Sequence, residues 1–141
     1  MQTYVDGAMF SEDFKKIVLV KKNKPTWQFG KLNFVGGKIE EYENCFEAMT
    51  REFFEETGLN IHENLWDFKI TITSQYWTVY FFRAVGDVTQ VKTMESEEIV
   101  VVDVAELPKL NTVDNVKWIT PLLLDANIRF PISFIEYEGV K

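Results

Sequence analysis

The chain has 141 residues, 46% hydrophobic and 15% aromatic, a composition that excludes disorder and is sufficient for one buried core. Its net charge of −7 excludes broad binding to nucleic acid, because an acidic surface repels a phosphate backbone. There is no bilayer-length apolar run, no signal-peptide pattern, and a single cysteine, Cys45. We therefore expect one domain over residues 1–141, located in the cytoplasm, as a monomer or homodimer without membrane or nucleic-acid partners.

The first third of the chain is rich in strand-forming residues. Strands are expected at Thr3–Phe10, Lys16–Lys22 and Leu32–Val35. The segment Pro25–Gly30 reads as a loop, because it combines proline, glycine and polar residues.

A helix is expected between residues 44 and 58. Asn44 can cap its N-terminus, and Glu47, three residues later, completes a capping-box pattern. Gly58 is the residue type that commonly ends a helix. The apolar stripe of this helix consists of Phe46, Met49 and Phe53.

The second half of the chain alternates between strand and helix patterns. Phe68–Ser74 and Trp77–Ala84 are expected to form an antiparallel pair, and Glu98–Val104 a further short strand. Asn115–Asp125 has apolar residues at helical spacing, and Ile132–Tyr137 alternates as a last strand. The sequence therefore predicts an α+β fold, an α/β/α sandwich in which a mixed β-sheet lies between helices.

Three carboxylates are expected to lie close together on the first helix. Glu52, Glu55 and Glu56 stand at i, i+3 and i+4, so that a helix places them on one face. They would repel one another unless a cation lies between them, and oxygen ligands favour Mg²⁺, or Mn²⁺. The alternative is a solvated acidic face, which is the common meaning of a glutamate run.

The surrounding residues favour the metal site. Gly37 is followed after five residues by Glu43 and, after seven more, by Arg51-Glu52; Phe53, Glu55-Glu56, Gly58 and Leu59 complete the pattern. Residues 37–59 thus resemble the Nudix box at each of its nine defined positions. The resemblance implies a Nudix hydrolase of the MutT-like type, with the Nudix fold, which cleaves a pyrophosphate linkage in a nucleoside diphosphate derivative.

The resemblance also implies roles for individual residues. Metal ligands are expected to be Glu52, Glu55, Glu56 and the main-chain carbonyl of Gly37 or Gly36, where glycine lets the backbone approach the ion. Arg51 is expected to orient a box glutamate, and Glu43 to brace the loop. The alternative for Arg51 is an ordinary i,i+4 ion pair with Glu55.

A second acidic cluster at residues 95–98 follows the predicted hairpin. In many Nudix enzymes a glutamate of this later loop is an extra metal ligand or the general base. Glu98 is the expected residue, because it adjoins a strand; a solvated loop is the alternative, most of all for Glu95. Lysines concentrated before the box suggest an approach path for a polyphosphate: Lys21, Lys22, Lys24, Lys31 and Lys38.

The segment from Gly30 to Lys38 resembles the subgroup that cleaves oxidised purine nucleoside triphosphates to the monophosphate and pyrophosphate. The resemblance implies that Asn33 contacts the base and that Trp27 lines its pocket, whereas backbone bonding and core packing are the respective alternatives. The tryptophan and paired aspartates that read the oxidised base in that subgroup are replaced by Val113, Asn115 and Val116. The preferred base is therefore left open, with Asn115 as a candidate polar contact and Lys38 as a candidate substrate ligand.

Two other functions are compatible with the same box. Tyr76 lies seventeen residues beyond Leu59, where the diadenosine polyphosphate subgroup carries a tyrosine, so a dinucleoside polyphosphate or nucleotide-sugar pyrophosphatase is one alternative. A catalytically inactive nucleotide-sensing module is the other. The intact box glutamates argue against the second.

Overall fold

A computed structural model describes residues 1–136. They form eight strands and two α-helices, together with four short 3₁₀ segments. The strands are β1 (Gln2–Phe10), β2 (Lys16–Lys21), β3 (Leu32–Asn33), β4 (Val35–Lys38), β5 (Asp67–Thr73), β6 (Trp77–Val85), β7 (Glu98–Asp103) and β8 (Ile132–Ile135). The helices are α1 (Cys45–Thr57) and α2 (Asp114–Leu124).

The eight strands form one mixed sheet in the order β3-β2-β1-β6-β5-β8, with β4 paired to β1 and β7 paired to β2. The β1–β6 and β5–β8 pairs are parallel, whereas the others are antiparallel. Both faces of this sheet are covered. One core contains Ala48, Met49 and Phe53 of α1, and the other contains Val116, Ile119 and Leu123 of α2, so the expected α/β/α sandwich is confirmed.

Local signals account for the ends of α1. The Asn44 side chain accepts a hydrogen bond from the backbone N–H of Glu47, and the Glu47 carboxylate accepts one from the N–H of Asn44 at 2.9 Å. At the other end, Gly58 has a left-handed backbone with φ of 75°, which glycine adopts at little cost. The capping box and the glycine stop are therefore confirmed.

The predicted strand Leu32–Val35 is interrupted in the structure. Residues 32–35 do not form a single strand, because β3 pairs with β2 while β4 pairs with β1. The chain changes partner at Phe34, whose side chain is buried against the ring of Phe81. This change of partner brings Gly36 and Gly37 into the sheet, opposite β1.

The other elements differ from expectation only near their ends. The loop Pro25–Gly30 contains a short 3₁₀ turn at Thr26–Gln28. The last strand ends at Ile135, and Tyr137, the predicted end of that strand, lies outside the described residues. Within residues 1–136, neither helix is long and apolar enough to cross a membrane.

Candidate active site

The site begins at the edge formed by Gly36 and Gly37 in β4. Gly37 lies opposite Val5 of β1, and a Cβ added at Gly37 would collide with the carboxylate of Glu52 from α1. Glycine at this position therefore lets the Glu52 carboxylate lie directly against the main chain. The helix and the strand meet at this point, which the box spacing alone does not reveal.

Arg51 organises the carboxylates around this edge. Its guanidinium donates two hydrogen bonds to Glu43, at 2.6 and 3.0 Å, and one each to Glu52 at 3.0 Å and Glu55 at 3.3 Å. A further hydrogen bond reaches the carbonyl oxygen of Lys38 at 3.0 Å. The i,i+4 pair with Glu55 thus exists, but it is one contact among several, and the bidentate grip on Glu43 is the shortest.

Glu43 fixes the chain that precedes the helix. Its carboxylate also accepts the backbone N–H of Glu40 at 2.8 Å. The paired guanidinium of Arg51 lowers the pKa of Glu43, although burial acts in the opposite direction. Glu43 and Arg51 therefore tie the loop after β4 to the second turn of α1.

Glu56 points into the protein and lacks a partner. Its side chain is 9% exposed, and its Oε2 is buried without a hydrogen bond. Burial raises the pKa of Glu56 to about 8; the charge of Glu52 adds to this, and the charge of Lys22 opposes it. Burial also raises the pKa of Glu52, against the opposing effect of Arg51.

This arrangement fits a hard divalent cation. A buried carboxylate oxygen without a partner is unfavourable, and a cation at the Gly37 edge would satisfy it. All available donors are oxygens, which suits Mg²⁺ or Mn²⁺. Among the described residues, no three acidic, histidine or cysteine side chains are already gathered around one point, because Arg51 engages Glu52 and Glu55.

The three glutamates of the acidic cluster at residues 95–98 differ in their contacts and exposure. Glu97 accepts hydrogen bonds from Lys22 Nζ at 2.8 Å and from the backbone N–H of Asn23 at 2.6 Å. The charge of the exposed Glu95 raises the pKa of both Glu52 and Glu56. Glu98, the expected residue, is exposed at the start of β7, opposite Lys21.

Glu98 instead lines an open cavity of about 460 Å³, which we call the basic cavity. Its lining consists of Lys21, Lys22, Asn23, Phe29, Gly30, Ser96 and Glu98. The Phe29 ring is 69% exposed. The basic cavity therefore combines two cations with an available aromatic face, beside the Lys22–Glu97 ion pair.

Backbone hydrogen bonds bring the segments that contain Asn33 and Asn115, the predicted base-contacting residues, next to each other. Leu32 donates to the carbonyl of Asn111 and accepts from the N–H of Val113, both at 2.9 Å. This contact brings Asn33 beside the start of α2, where Asn115 lies. The Asn33 amide already donates to Gln28 at 3.1 Å, while its Oδ1 accepts the N–H of Phe34 at 2.8 Å.

Trp27 and Lys38 lie apart from this contact. The Trp27 side chain is 63% exposed on the 3₁₀ turn, so the core-packing alternative is wrong. Lys38 is exposed at the end of β4, where it pairs with Tyr4 of β1 and its main-chain carbonyl accepts a hydrogen bond from Arg51.

A second cavity, of about 330 Å³, lies at the N-terminal end of α2; we call it the aromatic cavity. It is lined by Ile72, Trp77, Asn115, Trp118, Phe134, Ile135 and Glu136. Trp118 donates to Asn115 Oδ1 at 3.2 Å and meets the Phe134 ring edge-on at 5.5 Å. The aromatics come from β6, α2 and β8, so no local spacing in the sequence could have grouped them.

Asp6 of β1 is a carboxylate beside β4 that the box pattern does not single out. It is half-buried opposite Gly36. Burial raises its pKa to about 8, with an opposing effect of Lys22 and a reinforcing effect of Glu52. The available signal was a carboxylate within an otherwise apolar strand, Thr3–Phe10.

Solved structures share this fold. A MutT structure described for Aliivibrio salmonicida and Vibrio cholerae is 24% identical, with a TM-score of 0.73 over 86% of this chain and 96% of that one. A MutT protein from Bacillus halodurans is 20% identical, with a TM-score of 0.74 over 100% and 94%. The NUDIX domain of NrtR from Shewanella oneidensis, complexed with ADP ribose, is 15% identical, with a TM-score of 0.74 over 85% and 84%.

At these identities the structural likeness establishes the fold alone. Among curated proteins, no sequence matches this chain. The model of the NUDIX domain family, however, matches residues 2–123, which extend from β1 into α2 and include the whole box. The chain therefore belongs to the Nudix family, as a hydrolase that acts on phosphoanhydride bonds of nucleoside diphosphate derivatives.

Proposed function

We propose that this protein is a Mg²⁺-dependent pyrophosphohydrolase that cleaves a nucleoside triphosphate, with a purine base, to the monophosphate and pyrophosphate. One observation carries the proposal. Arg51 and Gly37 hold the Glu52 carboxylate at the strand edge, while Glu56 keeps an unpartnered oxygen buried. Such a set of carboxylates suits a cation-bound polyphosphate.

The residues that would hold the cation are Glu52, Glu55, Glu56 and the Gly37 carbonyl, with Glu98 as a further ligand. Nudix hydrolases generally use divalent cations, and such an ion neutralises polyphosphate charge and helps to activate water. In this proposal, Arg51 holds Glu52 and Glu55 beside the Gly37 edge, and their carboxylates turn toward the cation when it binds.

Glu98 is the proposed general base, with Glu55 and Glu52 as the other catalytic carboxylates. Glu97 is the main competitor for the role of Glu98, because it is held by Lys22 and Asn23. Replacing Glu97 and Glu98 by glutamine, one at a time, distinguishes the two candidates. Loss of the general base should lower kcat about 100-fold, with little change in KM. A larger loss in Glu97→Gln than in Glu98→Gln would transfer the role to Glu97.

For the nucleoside, the proposal combines Asn33, Asn115 and an aromatic stacking partner. Amides offer both a donor and an acceptor to a purine edge, and indoles offer a stacking face. Trp27 is available on its exposed turn, and Trp77 and Trp118 are available in the aromatic cavity. Oxidised purines are included among the substrates to be tested.

A second candidate is cleavage of a dinucleoside polyphosphate or a nucleotide sugar. The basic cavity favours it, since Lys21, Lys22 and the exposed Phe29 can accommodate a phosphate and a second ring. Tyr76, which is 61% exposed on the β5–β6 hairpin, is a further candidate contact.

The test is a substrate panel of ordinary and oxidised nucleoside triphosphates, dinucleoside polyphosphates and nucleotide sugars, each with Mg²⁺, with products separated by anion-exchange chromatography. Release of monophosphate and pyrophosphate from a purine triphosphate, lost with chelator, is expected. Higher kcat/KM for a dinucleotide would favour the second candidate. Unchanged turnover by the Glu55→Gln, Glu56→Gln double variant would contradict the mechanism. If no substrate were turned over, the inactive nucleotide-sensing module would be the favoured alternative.

A further inference from the structure

The chain that leads into the acidic cluster has no helix or strand of its own. Residues 92–97, which we call the acidic loop, lie between the 3₁₀ turn Val88–Gln90 and β7. A segment of this kind is ordinarily among the more mobile parts of a fold. Its position therefore depends on the contacts that it makes with other elements.

The first half of the acidic loop docks on the C-terminal turn of α1. The backbone N–H of Lys92 donates to the carbonyl of Thr57 at 2.9 Å, and that of Met94 donates to the carbonyl of Glu56 at 3.2 Å. Carbonyl groups in the last turn of a helix lack partners within the helix, so the loop supplies them. The Met94 side chain lies against Gly58, where an added Cβ would be 3.2 Å from its Sδ. This half of the loop thus lies directly beside Glu56.

The second half of the acidic loop is tied to the end of β2 by an ion pair. Lys22 Nζ donates to Glu97 Oε1 at 2.8 Å, and the backbone N–H of Asn23 donates to Glu97 Oε2 at 2.6 Å. The Asn23 amide also donates to the carbonyl of Ser96 at 3.1 Å. Both carboxylate oxygens are engaged by strong donors, which fixes the orientation of Glu97.

Burial distinguishes this ion pair from another one in the same ladder. The side chains of Lys22 and Glu97 are 21% and 12% exposed, whereas those of Lys16 and Asp103 are 53% and 55% exposed. Lys16 and Asp103 are opposite each other at the far end of the β2–β7 ladder. An exposed pair contributes little, but loss of one partner from a shielded pair leaves a charge without its counter-charge. The Lys16–Asp103 pair therefore provides a natural control.

Lys22 lies on the face of the sheet that α1 covers. Val20 of β2 belongs to the same core as Phe53 of α1. Lys22 is two residues beyond Val20, and its N–H still pairs with the carbonyl of Lys31 at 2.9 Å, so its side chain points to the same face. In agreement, the charge of Lys22 opposes the rise in the pKa of Glu56 that burial causes. The ion pair and the box glutamates are thus on one side of the sheet.

We infer that the Lys22–Glu97 ion pair is a positioning device for the cation site, which fixes the acidic loop between β2 and the end of α1. The inference rests on the proposed function, because it adds two positioning residues to the same site. Neither residue needs to touch the cation or the substrate in this role. Without the pair, the loop would stay attached to α1 through Lys92 and Met94 but would be released from β2.

Hydrogen exchange followed by mass spectrometry measures how firmly the loop is held. In Lys22→Met and in Glu97→Gln, the amides of residues 92–97 should exchange about 10-fold faster than in the parent chain, because the docked loop opens more often. Lys22→Arg keeps the charge and a donor, so exchange there should stay within about threefold of the parent. Lys16→Met, which breaks the exposed pair with Asp103, should leave the exchange of the acidic loop unchanged.

Mn²⁺ binding and kinetics show whether the position of the loop matters to the site. Mn²⁺ is titrated into each variant chain, and free Mn²⁺ is followed by its electron paramagnetic resonance signal. Lys22→Met and Glu97→Gln should each weaken Mn²⁺ binding and lower kcat about 10-fold, with little change in KM, as is typical when a group that orients metal ligands is lost. Lys22→Arg should keep both quantities within about threefold of the parent.

Several results would overturn the inference. One is loop exchange within about twofold of the parent in both Lys22→Met and Glu97→Gln. Another is faster exchange with unchanged Mn²⁺ affinity and kcat, because the position of the loop would then not matter. A rise in KM confined to Lys22→Met would make Lys22 a substrate ligand instead. Failure of both variants to fold would make the pair structural.

The outcome is separable from that of the substrate panel. If the parent chain binds no Mn²⁺, the proposed function fails, and the inference fails with it. If the parent binds Mn²⁺ and the variants bind it equally well, only the inference fails. Neither hydrogen exchange nor the Mn²⁺ titration requires turnover, so a chain that cleaves none of the panel still tests the ion pair.

Discussion

At the scale of single residues, Arg51 is the centre of the site. It donates hydrogen bonds to three glutamates and a main-chain carbonyl. The side-chain hydrogen bonds raise its pKa above the ordinary range of arginine, mainly through Glu43. A planar guanidinium can engage several carboxylates in fixed directions, whereas an ammonium acts as a point charge. The geometry of Glu52 therefore depends on arginine and not simply on a positive charge.

Arg51→Lys should accordingly impair function without unfolding the protein. We expect kcat to fall about 10- to 100-fold, because the side chains that hold the cation lose their orientation. Steady-state kinetics at saturating Mg²⁺ measures this. Arg129→Lys, at an exposed position, is the matched control and should retain full activity; equal activity in the two variants would show that charge alone suffices.

The raised pKa values of Glu56 and Asp6, both about 8, predict how stability varies with pH. Between the unfolded values near 4 and the folded values near 8, the folded metal-free chain binds more protons than the unfolded chain. The contribution of these two groups to the free energy of unfolding should therefore be greatest below about pH 4, fall as pH rises to about 8, and level off above that.

Thermal unfolding by circular dichroism at pH 5.5 and 8.5, with chelator, measures this dependence. We expect Tm to decrease by about 5 °C or more over that interval from these groups. Glu56→Gln should flatten the profile, and Glu12→Gln should leave it as in the parent chain. A Tm that rises with pH in the metal-free parent would contradict the assignment.

At the scale of elements, β4 decides where the site forms. The sequence correctly indicated a helix after Asn44 and its end at Gly58, because capping and glycine geometry are local. It did not indicate the change of partner between β3 and β4 at Phe34, because pairing with β1 depends on a strand about thirty residues earlier. That pairing places Gly36 and Gly37 between Asp6 and Glu52.

The close fit of β4 against α1 predicts the effect of a methyl group. Gly37→Ala should lower kcat about 100-fold or more, because the added Cβ displaces the Glu52 carboxylate that the strand edge holds. Activity and Tm are measured together. Gly86→Ala, whose Cβ would meet the flexible end of Met9 at 3.1 Å, is the control, and an equally large loss there would indicate general misfolding.

At the scale of the whole molecule, two candidate binding regions lie toward opposite ends of the strand order. The basic cavity lies beside β2 and β7, whereas the aromatic cavity lies between β5, β6, β8 and α2. Neither region is continuous in sequence. Trp27 belongs to the turn before β3, and Trp118 belongs to α2, so substitution of each can locate the nucleobase.

If the base binds in the aromatic cavity, Trp118→Ala should raise KM for a purine triphosphate about 10-fold, since stacking typically contributes 1–3 kcal/mol per base. Trp27→Ala should then have less than about a twofold effect. Steady-state kinetics on both variants measures the difference, with Mn²⁺ affinity as a check that the cation site is intact. The reverse pattern would locate the base at the 26–28 turn.

Spacing along the chain was enough to define the family, the sandwich class, the helix and its glutamates, since these follow from helical periodicity, caps and a motif confined to residues 37–59. Only the tertiary structure showed that the shortest hydrogen bond of Arg51 is to Glu43 and that Glu97 pairs with Lys22. It also showed that Asp6 lies opposite Gly36 and that three aromatics distant in sequence line the aromatic cavity. The reason is physical: sheet register and packing join residues far apart in the chain, and no local propensity encodes those contacts.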